Sequence, residues 1–175
     1  MSHMQTRIPT RDTDHRIELP GPDEMRRAMG RFASGVTVVT GLDEDGPTGF
    51  ACQSFASVSL EPPLLLFCAD HRGRAWPRIR RVGRFTVNVL GADQSDLCAR
   101  FGSSRGPKFD GLHWELSRWD TPSLPDVLLR VHASVEDVHV AGDHDVVIGR
   151  VAELECVGDR SPMVFYRGAF GLDAR

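Results

Sequence analysis

Along the chain the spacing of apolar positions changes from a helical to an alternating period near residue 36. Met25, Ala28, Met29 and Phe32 fall at i, i+3, i+4 and i+7, which predicts one short amphipathic helix. Pro22 suits its first turn, Asp23 and Glu24 lie at its positive end, and Gly35 follows its last turn. Residues 36–40 are β-branched throughout, and 48–53, 64–69 (after Pro62-Pro63) and 85–90 predict further strands. Residues 43–47, Asp-Glu-Asp-Gly-Pro, make the first two a hairpin. Two helical interruptions are expected, at 75–82 and at 93–101. In the second, Leu97 and Phe101 share a face and Ala92-Asp93 offers a cap. Val127, Leu129, Val131, Ala133 and Val135 alternate and lead through Val138 to a turn at 141–144, with a return strand over 146–154. A last strand is expected at about 163–170. Seven or eight strands with short helices between them argue for a closed β-barrel with helical caps rather than a βαβ sheet.

Composition adds exclusions. With 41% hydrophobic and 26% charged residues over 175 positions, the chain is neither disordered, collagenous nor coiled-coil. A net charge of −3 gives no global attraction for nucleic acid or an anionic membrane, so a small-molecule partner is expected. The longest wholly apolar run, 64–69, is far short of the ~18 residues of a membrane-spanning helix, and nothing at the start resembles a signal peptide. A cytoplasmic protein is expected. Residues 1–21 are polar and aperiodic and read as a disordered tail whose Met-Ser-His-Met opening resembles a cloning scar, leaving 22–175 as one domain. Cys52, Cys68, Cys98 and Cys156 have no zinc spacing and lie in or beside apolar segments, where a free thiol behaves as a small hydrophobe.

Missing motifs narrow the chemistry. Neither G-x-G-x-x-G after a strand nor a P-loop occurs. Residues 102–106 spell G-x-S-x-G, but a helix is expected before them and Pro107 follows, which is the wrong context for a nucleophile elbow. The Ser-rich segment 49–63 can cradle an anion or a heterocycle edge, or be a turn that satisfies itself. Asp70-His71-Arg72-Gly73-Arg74-Ala75 puts two arginines and a glycine at a helix start, an arrangement suited to phosphate. Of Arg72, Arg74, Arg78, Arg80, Arg81 and Arg84, most are accounted for by a solvated helix face; Arg74, at the helix start, is the candidate ligand. Only Trp76 interleaves this cluster, against a nucleic-acid surface. Gly142-Asp143-His144-Asp145 places a histidine between carboxylates at a hairpin tip, as an acid/base group or as a solvated turn residue. His139 with His144 would make a metal site only if a turn brought them together, so none is expected.

Several segments, in this order, match landmarks of one family: residues 30–40 (GRFASGVTVVT), Ser54-Phe55, 57–63 (SVSLEPP) and 84–90 (RFTVNVL). Lys108-Phe109, Gly142-Asp143-His144 with Ile148-Gly149-Arg150-Val151, and Phe165-Tyr166-Arg167-Gly168 complete the set. From Met25 to Phe170 the chain resembles the flavin reductases of the FMN-binding split barrel, the reductase components of two-component flavin-dependent monooxygenases. The resemblance implies a mainly β fold, a six-stranded antiparallel split β-barrel with short capping helices. It also implies a homodimer with flavin near the subunit interface, and hydride transfer from NADH, or NADPH, to N5 of FAD or FMN. The reduced flavin would pass to a separate monooxygenase. By position, Ala51, Cys52, Gln53, Ser54 and Phe55 would line the flavin, Ser57 and Arg74 would meet its phosphate, and Lys108 and Phe109 would border it. Tyr166 and Arg167 would approach from the last strand. His144 would be catalytic, positioning the nicotinamide, with an acid/base role at flavin N1 or N5 as the variant reading. The chain departs from the family at Ala51-Cys52-Gln53 and at Gly73-Arg74-Ala75, where hydroxyls are lost, which implies weaker, backbone-dominated phosphate binding. The rival readings are a non-catalytic flavin- or haem-binding barrel and an oxidase of the pyridoxamine-phosphate type.

Overall fold

The structure, a computed structural model, describes residues 19–170, so most of the expected tail, including the expected cloning scar, and the last residues of the expected domain lie outside the described residues. In chain order the elements are α1 (Pro22–Met29), β1 (Ser34–Gly35), β2 (Thr37–Asp43), β3 (Gly46–Cys52), β4 (Ala56–Leu60), β5 (Pro63–Asp70), α2 (Ala75–Val82) and β6 (Arg84–Val89). Then follow α3 (Ser95–Gly102), β7 (Glu115–Leu116), β8 (Pro122–Ser123), β9 (Leu129–Ala141), β10 (His144–Cys156), β11 (Val164–Tyr166) and β12 (Ala169–Phe170).

Local chemistry sets the helix ends. Pro22 opens α1 and the acids Asp23 and Glu24 occupy its first turn. The chain then tightens, with Arg31 and Phe32 N–H groups bonding three residues back to Ala28 and Met29 carbonyls, so Phe32 falls beyond the helix rather than inside it. α2 ends at Gly83, whose left-handed φ of 77° lets its N–H reach the Ile79 carbonyl. α3 starts after Gln94 rather than at the expected Ala92-Asp93 cap, because the Asp93 carboxylate is engaged by Arg160 at 2.6 Å.

The strands β3-β2-β6-β9-β10-β5-β4 form one antiparallel sheet in that order. This corrects two expectations: the main sheet has seven strands, not six, and it does not close. The added strand is β4, whose small hydroxyl residues hide a strand, and it pairs with β5 through a register shift between Ser57 and Ser59. At the seam no ladder joins the edge strands β3 and β4. Instead the Cys68 N–H on β5 donates to Ser54 Oγ just past β3, at 2.9 Å. The sheet curls far enough for the Cys52 thiol on β3 to donate to the Cys68 carbonyl at 3.7 Å.

The curl encloses one apolar cluster around Phe67, Phe85, Trp76 and Ile79. Phe67 is central, meeting Trp76 edge-on at 5.7 Å and Phe85 at 5.2 Å between ring centres. A second cluster, with Val38, Leu90, Phe101, Leu124 and Met163, packs α3 and the small sheet β1-β11-β12 against the other side of β2. Gly49 permits this: a Cβ there would stand 2.8 Å from the Val39 carbonyl and 2.9 Å from the Phe101 ring. No helix among the described residues is long and apolar enough to cross a membrane.

Candidate functional site

The open seam is also where the cavities are. A larger lobe of about 980 Å³ lies between β3, the turn leading into α2, and the loop after α3. A smaller lobe of about 680 Å³ lies between the end of β3, β5, α3 and the tip of the β9–β10 hairpin. Phe50, Ala51, Asp70, Gly102 and Ser103 border both, so the two form one two-lobed cleft. Each lobe has the size of a small-ligand site.

The expected site residues divide between the lobes. Arg74, Lys108 and Phe109 line the larger lobe, Ala51 lines both, and Cys52, Gln53, Ser54 and His144 line the smaller. Phe55, Ser57, Tyr166 and Arg167 do not line the cleft within one chain. Phe55 packs against the main apolar cluster and Ser57 is an exposed β4 residue opposite Leu65. The Arg167 guanidinium lies over the Tyr166 ring at 5.1 Å, and the Arg167 N–H holds the Gly30 carbonyl. Phe170, from the same terminal hairpin, is the residue that reaches the smaller lobe.

Among the arginines and lysines that line the cleft, charge pairing singles out two. Arg72 pairs with Asp70 at 2.7 Å, Arg78 and Arg81 with Asp43, Arg80 with Asp145 at 3.2 Å, and Arg84 with Asp120 at 3.0 Å. Arg74 and Lys108 have no carboxylate partner among the described residues. Arg74 donates to the Ser104 carbonyl, and the Lys108 ammonium to the carbonyls of Arg100 (2.7 Å), Ser103 and Arg105. Burial and the nearby Arg74 charge hold the Lys108 amine below its ordinary value. Two like charges held together with only carbonyls to answer them, beside the amino end of α2, are an arrangement that can receive an anion. Phe109 keeps the loop in place by meeting Phe101 edge-on at 5.2 Å and Trp114 at 5.9 Å.

The other lobe is milder. His144 opens β10 opposite Asp70, and its Nδ1 bonds Asp143 at 2.7 Å, leaving Nε2 as the ring nitrogen not engaged by Asp143. That bond draws the Asp143 carboxyl below its usual range, while Arg72 does the same for Asp70. Burial pushes the Cys52 and Cys98 thiols up, so both are neutral linings rather than nucleophiles. Cys68 also lines this lobe, while Cys156 is exposed.

Sequence reasoning did not place Trp76, Phe101 or Phe170 at the cleft, and it took Asp145 only as a carboxylate flanking His144. Asp145 lies behind the cleft, buried, and bonds Trp76 Nε1 (2.8 Å), His71 Nε2 (2.9 Å) and Arg80 (3.2 Å). A signal existed: Asp145 has the parity of Val147 and Gly149, which places a carboxylate on the inward face of β10, where it must find donors. Away from the cleft, ligand atoms of His132, Glu153 and Glu155 lie within 4.8 Å of one another. Their partners there are already protein groups: Thr86 on His132, Arg118 and Trp119 on Glu153, and Arg130 and His132 on Glu155.

Comparison with known proteins gives the family of the chain. Residues 29–171 match the flavin reductase like domain. The chain is 46% identical over 149 residues to the reductase subunit of a flavin-dependent monooxygenase from Rhodococcus jostii, covering 85% of this chain and 76% of that one. It is 38% identical over 162 residues to an FMN reductase (NADH) from Agrobacterium fabrum, covering 91% and 92%. Among solved structures, the Streptomyces globisporus NADH:FAD oxidoreductase in complex with NAD and FAD fragments superposes with a TM-score of 0.81 at 31% identity, over 90% of this chain and 99% of that one.

Proposed function

The chain belongs to the flavin reductase family, and from that premise we propose that it uses NADH to reduce a diffusible FMN or FAD and hands the reduced flavin to a separate monooxygenase. The observation that carries the reading is the pair Arg74 and Lys108, two cations without carboxylate partners among the described residues, at one end of a cleft whose other end carries His144. A flavin has the matching shape. Its phosphate would take Arg74, Lys108 and the first N–H groups of α2, while its flat ring would lie along Phe50 and Ala51 where the lobes join. Gln53 and Ser54 supply polar groups at the ring edge, although the Ser54 hydroxyl is already shared with Cys68 and Cys52.

The two cofactors supply the hydride donor and the hydride acceptor. The protein therefore has to orient and exclude water rather than provide strong acid or base. His144, held by Asp143, would orient the nicotinamide from the hairpin tip. Because all three Lys108 donors already bond carbonyls, so that Lys108 would act on a phosphate as a nearby charge, and Arg74 spends one donor on the Ser104 carbonyl while Gly73 and Ala75 offer no hydroxyl, the phosphate grip would be partial, which suits a flavin that leaves after reduction. Phe55, Ser57, Tyr166 and Arg167 would reach a flavin through the interface of a homodimer, which the exposed apolar residues of α1 support. Residues 22–175 would act as one domain, in the cytoplasm, where nicotinamide and a partner oxygenase are available.

Anaerobic oxidation of NADH, followed at 340 nm with FMN or FAD in large excess, tests the reading. Many flavins reduced per chain are expected, with His144→Ala slowing hydride transfer at saturating NADH. Flavin binding without turnover would replace the reductase with a flavin-binding protein, and an unchanged rate in His144→Ala would remove His144 from the chemistry.

A further inference from the structure

One buried group lies behind both lobes of the cleft without touching either. Asp145 follows His144 on β10, and its side chain is 5% exposed. Its Oδ2 accepts from the Trp76 indole N–H at 2.8 Å and from Arg80 at 3.2 Å, residues one turn apart in α2. Its Oδ1 bonds His71 Nε2 at 2.9 Å, and the His71 N–H in turn holds the Asp143 carbonyl at 3.1 Å. Three segments therefore meet at one carboxylate: the hairpin tip that carries His144, the turn 70–74 that ends in Arg74, and the first turn of α2. Trp76 adds a wall of the larger lobe and packs edge-on against Phe67. A buried carboxylate with three donors is an expensive group to keep in a core, and removing it strands the donors around it.

We propose that Asp145 is a positioning residue for flavin reduction, holding the amino end of α2, and with it Arg74, at a fixed reach from His144. The proposal rests on the reading of Arg74 as a phosphate ligand. It gives Asp145 a role in recognising phosphorylated flavins that it exerts only through Trp76, Arg80 and His71.

The test compares FMN with riboflavin, which has the same ring and no phosphate, as acceptors for NADH. In Asp145→Ala the KM for FMN should rise about tenfold, the scale of a misplaced binding group, while the KM for riboflavin stays within about twofold. Trp76→Phe keeps an aromatic ring in the core and deletes one donor, and should move the FMN KM about threefold in the same direction, a fraction of what one hydrogen bond to a carboxylate is worth. Asp145→Asn keeps an oxygen for Trp76 and Arg80 and can donate to a neutral His71, so its FMN KM should stay near the wild-type value. A merely structural defect would lower the active fraction, and so kcat, for both acceptors alike. That equal loss in Asp145→Ala with an unchanged FMN KM would overturn the proposal. Should Asp145→Ala not fold, Trp76→Phe decides: an unchanged FMN KM overturns the proposal and a selective rise supports it. Arg74→Met separates the two claims. If it leaves the FMN KM unchanged, the phosphate site itself is misplaced. If it raises that KM while Asp145→Ala and Trp76→Phe do not, the site stands and the role of Asp145 falls.

Discussion

Asp43 illustrates how single side chains set the molecule's acid limit. Arg78 and Arg81 from α2 both reach this β2 carboxylate, and the Asp45 N–H adds a third donor. Chiefly through the Arg78 hydrogen bonds, its pKa falls from the usual 3.8 to about 2. A depressed carboxylate contributes stability that is fully present above the unfolded value and disappears as pH falls through the folded one. The contribution, at most about 2 kcal/mol, is therefore present at neutral pH and lost between roughly pH 4 and pH 2. Asp43→Asn should lower the thermal midpoint at pH 7 and flatten the decline in stability over that window, as read by unfolding at a series of acid pH values. An unchanged acid limb would mean that the pair is as well solvated folded as unfolded. Such pairs also set the charge pattern of the cleft: Asp43, Asp70, Asp120 and Asp145 answer five of the six arginines between 72 and 84, and Arg74 is left without a carboxylate partner among the described residues.

At the scale of elements, β10 is a long interior strand that pairs with both β5 and β9. Its Gly149 lies where Phe85 and Leu65 close over the sheet, and a Cβ there would stand 2.6 Å from the Phe85 ring and 3.0 Å from Leu65. Gly149→Ala should destabilise by about 1 to 3 kcal/mol, the cost of overpacking a rigid core, seen as a lower midpoint in thermal or urea unfolding. A neutral result would show that the bulge between Ile148 and Gly149 can absorb the methyl group. Elements with a strong period were legible in advance. α2 agrees with its expected residues, and the alternation from Val127 to Val135, returning after Gly142, marks the β9–β10 hairpin. β4 was missed although Ala56, Val58 and Leu60 alternate with Ser57 and Ser59, because the Ser-rich segment also fits a turn or an anion cradle, and on an edge strand those three apolar residues stay exposed instead of marking a core face. The site divides in the same way. Arg74 and His144 stand out as chemistry within a local motif, and Lys108 enters only through the family resemblance. Trp76 and Asp145 become neighbours only once α2 packs over β2 and β3 and its side chains reach the start of β10, a contact between residues 69 positions apart that no local pattern contains.

For the whole molecule, the unexplained surface is at the amino-terminal end. Met25, Met29 and Phe32 are 51%, 53% and 75% exposed, and no residue of α1 is buried, although its apolar residues share one face. An amphipathic helix gains its stability by burying that face, and an eight-residue helix left in water is too short to persist on its own propensity. α1 is nevertheless tied to the site, because the Gly30 carbonyl behind it accepts from the Arg167 N–H of the terminal hairpin whose Phe170 lines the smaller lobe. A second copy of the chain covering α1 would bury the apolar face and bring the Tyr166–Arg167 hairpin into an interface beside the cleft. Met29→Glu should then convert a dimer to monomer in sedimentation velocity at micromolar protein, and raise the flavin KM by roughly tenfold as the neighbouring wall loosens, about 1.4 kcal/mol of binding. Wild-type chain that sediments as a monomer while turning over flavin would show that one chain suffices, and α1 would need another partner. Dimers that survive the substitution would place the interface elsewhere, on the exposed faces of β9 and β10 where Val140 and Leu154 lie.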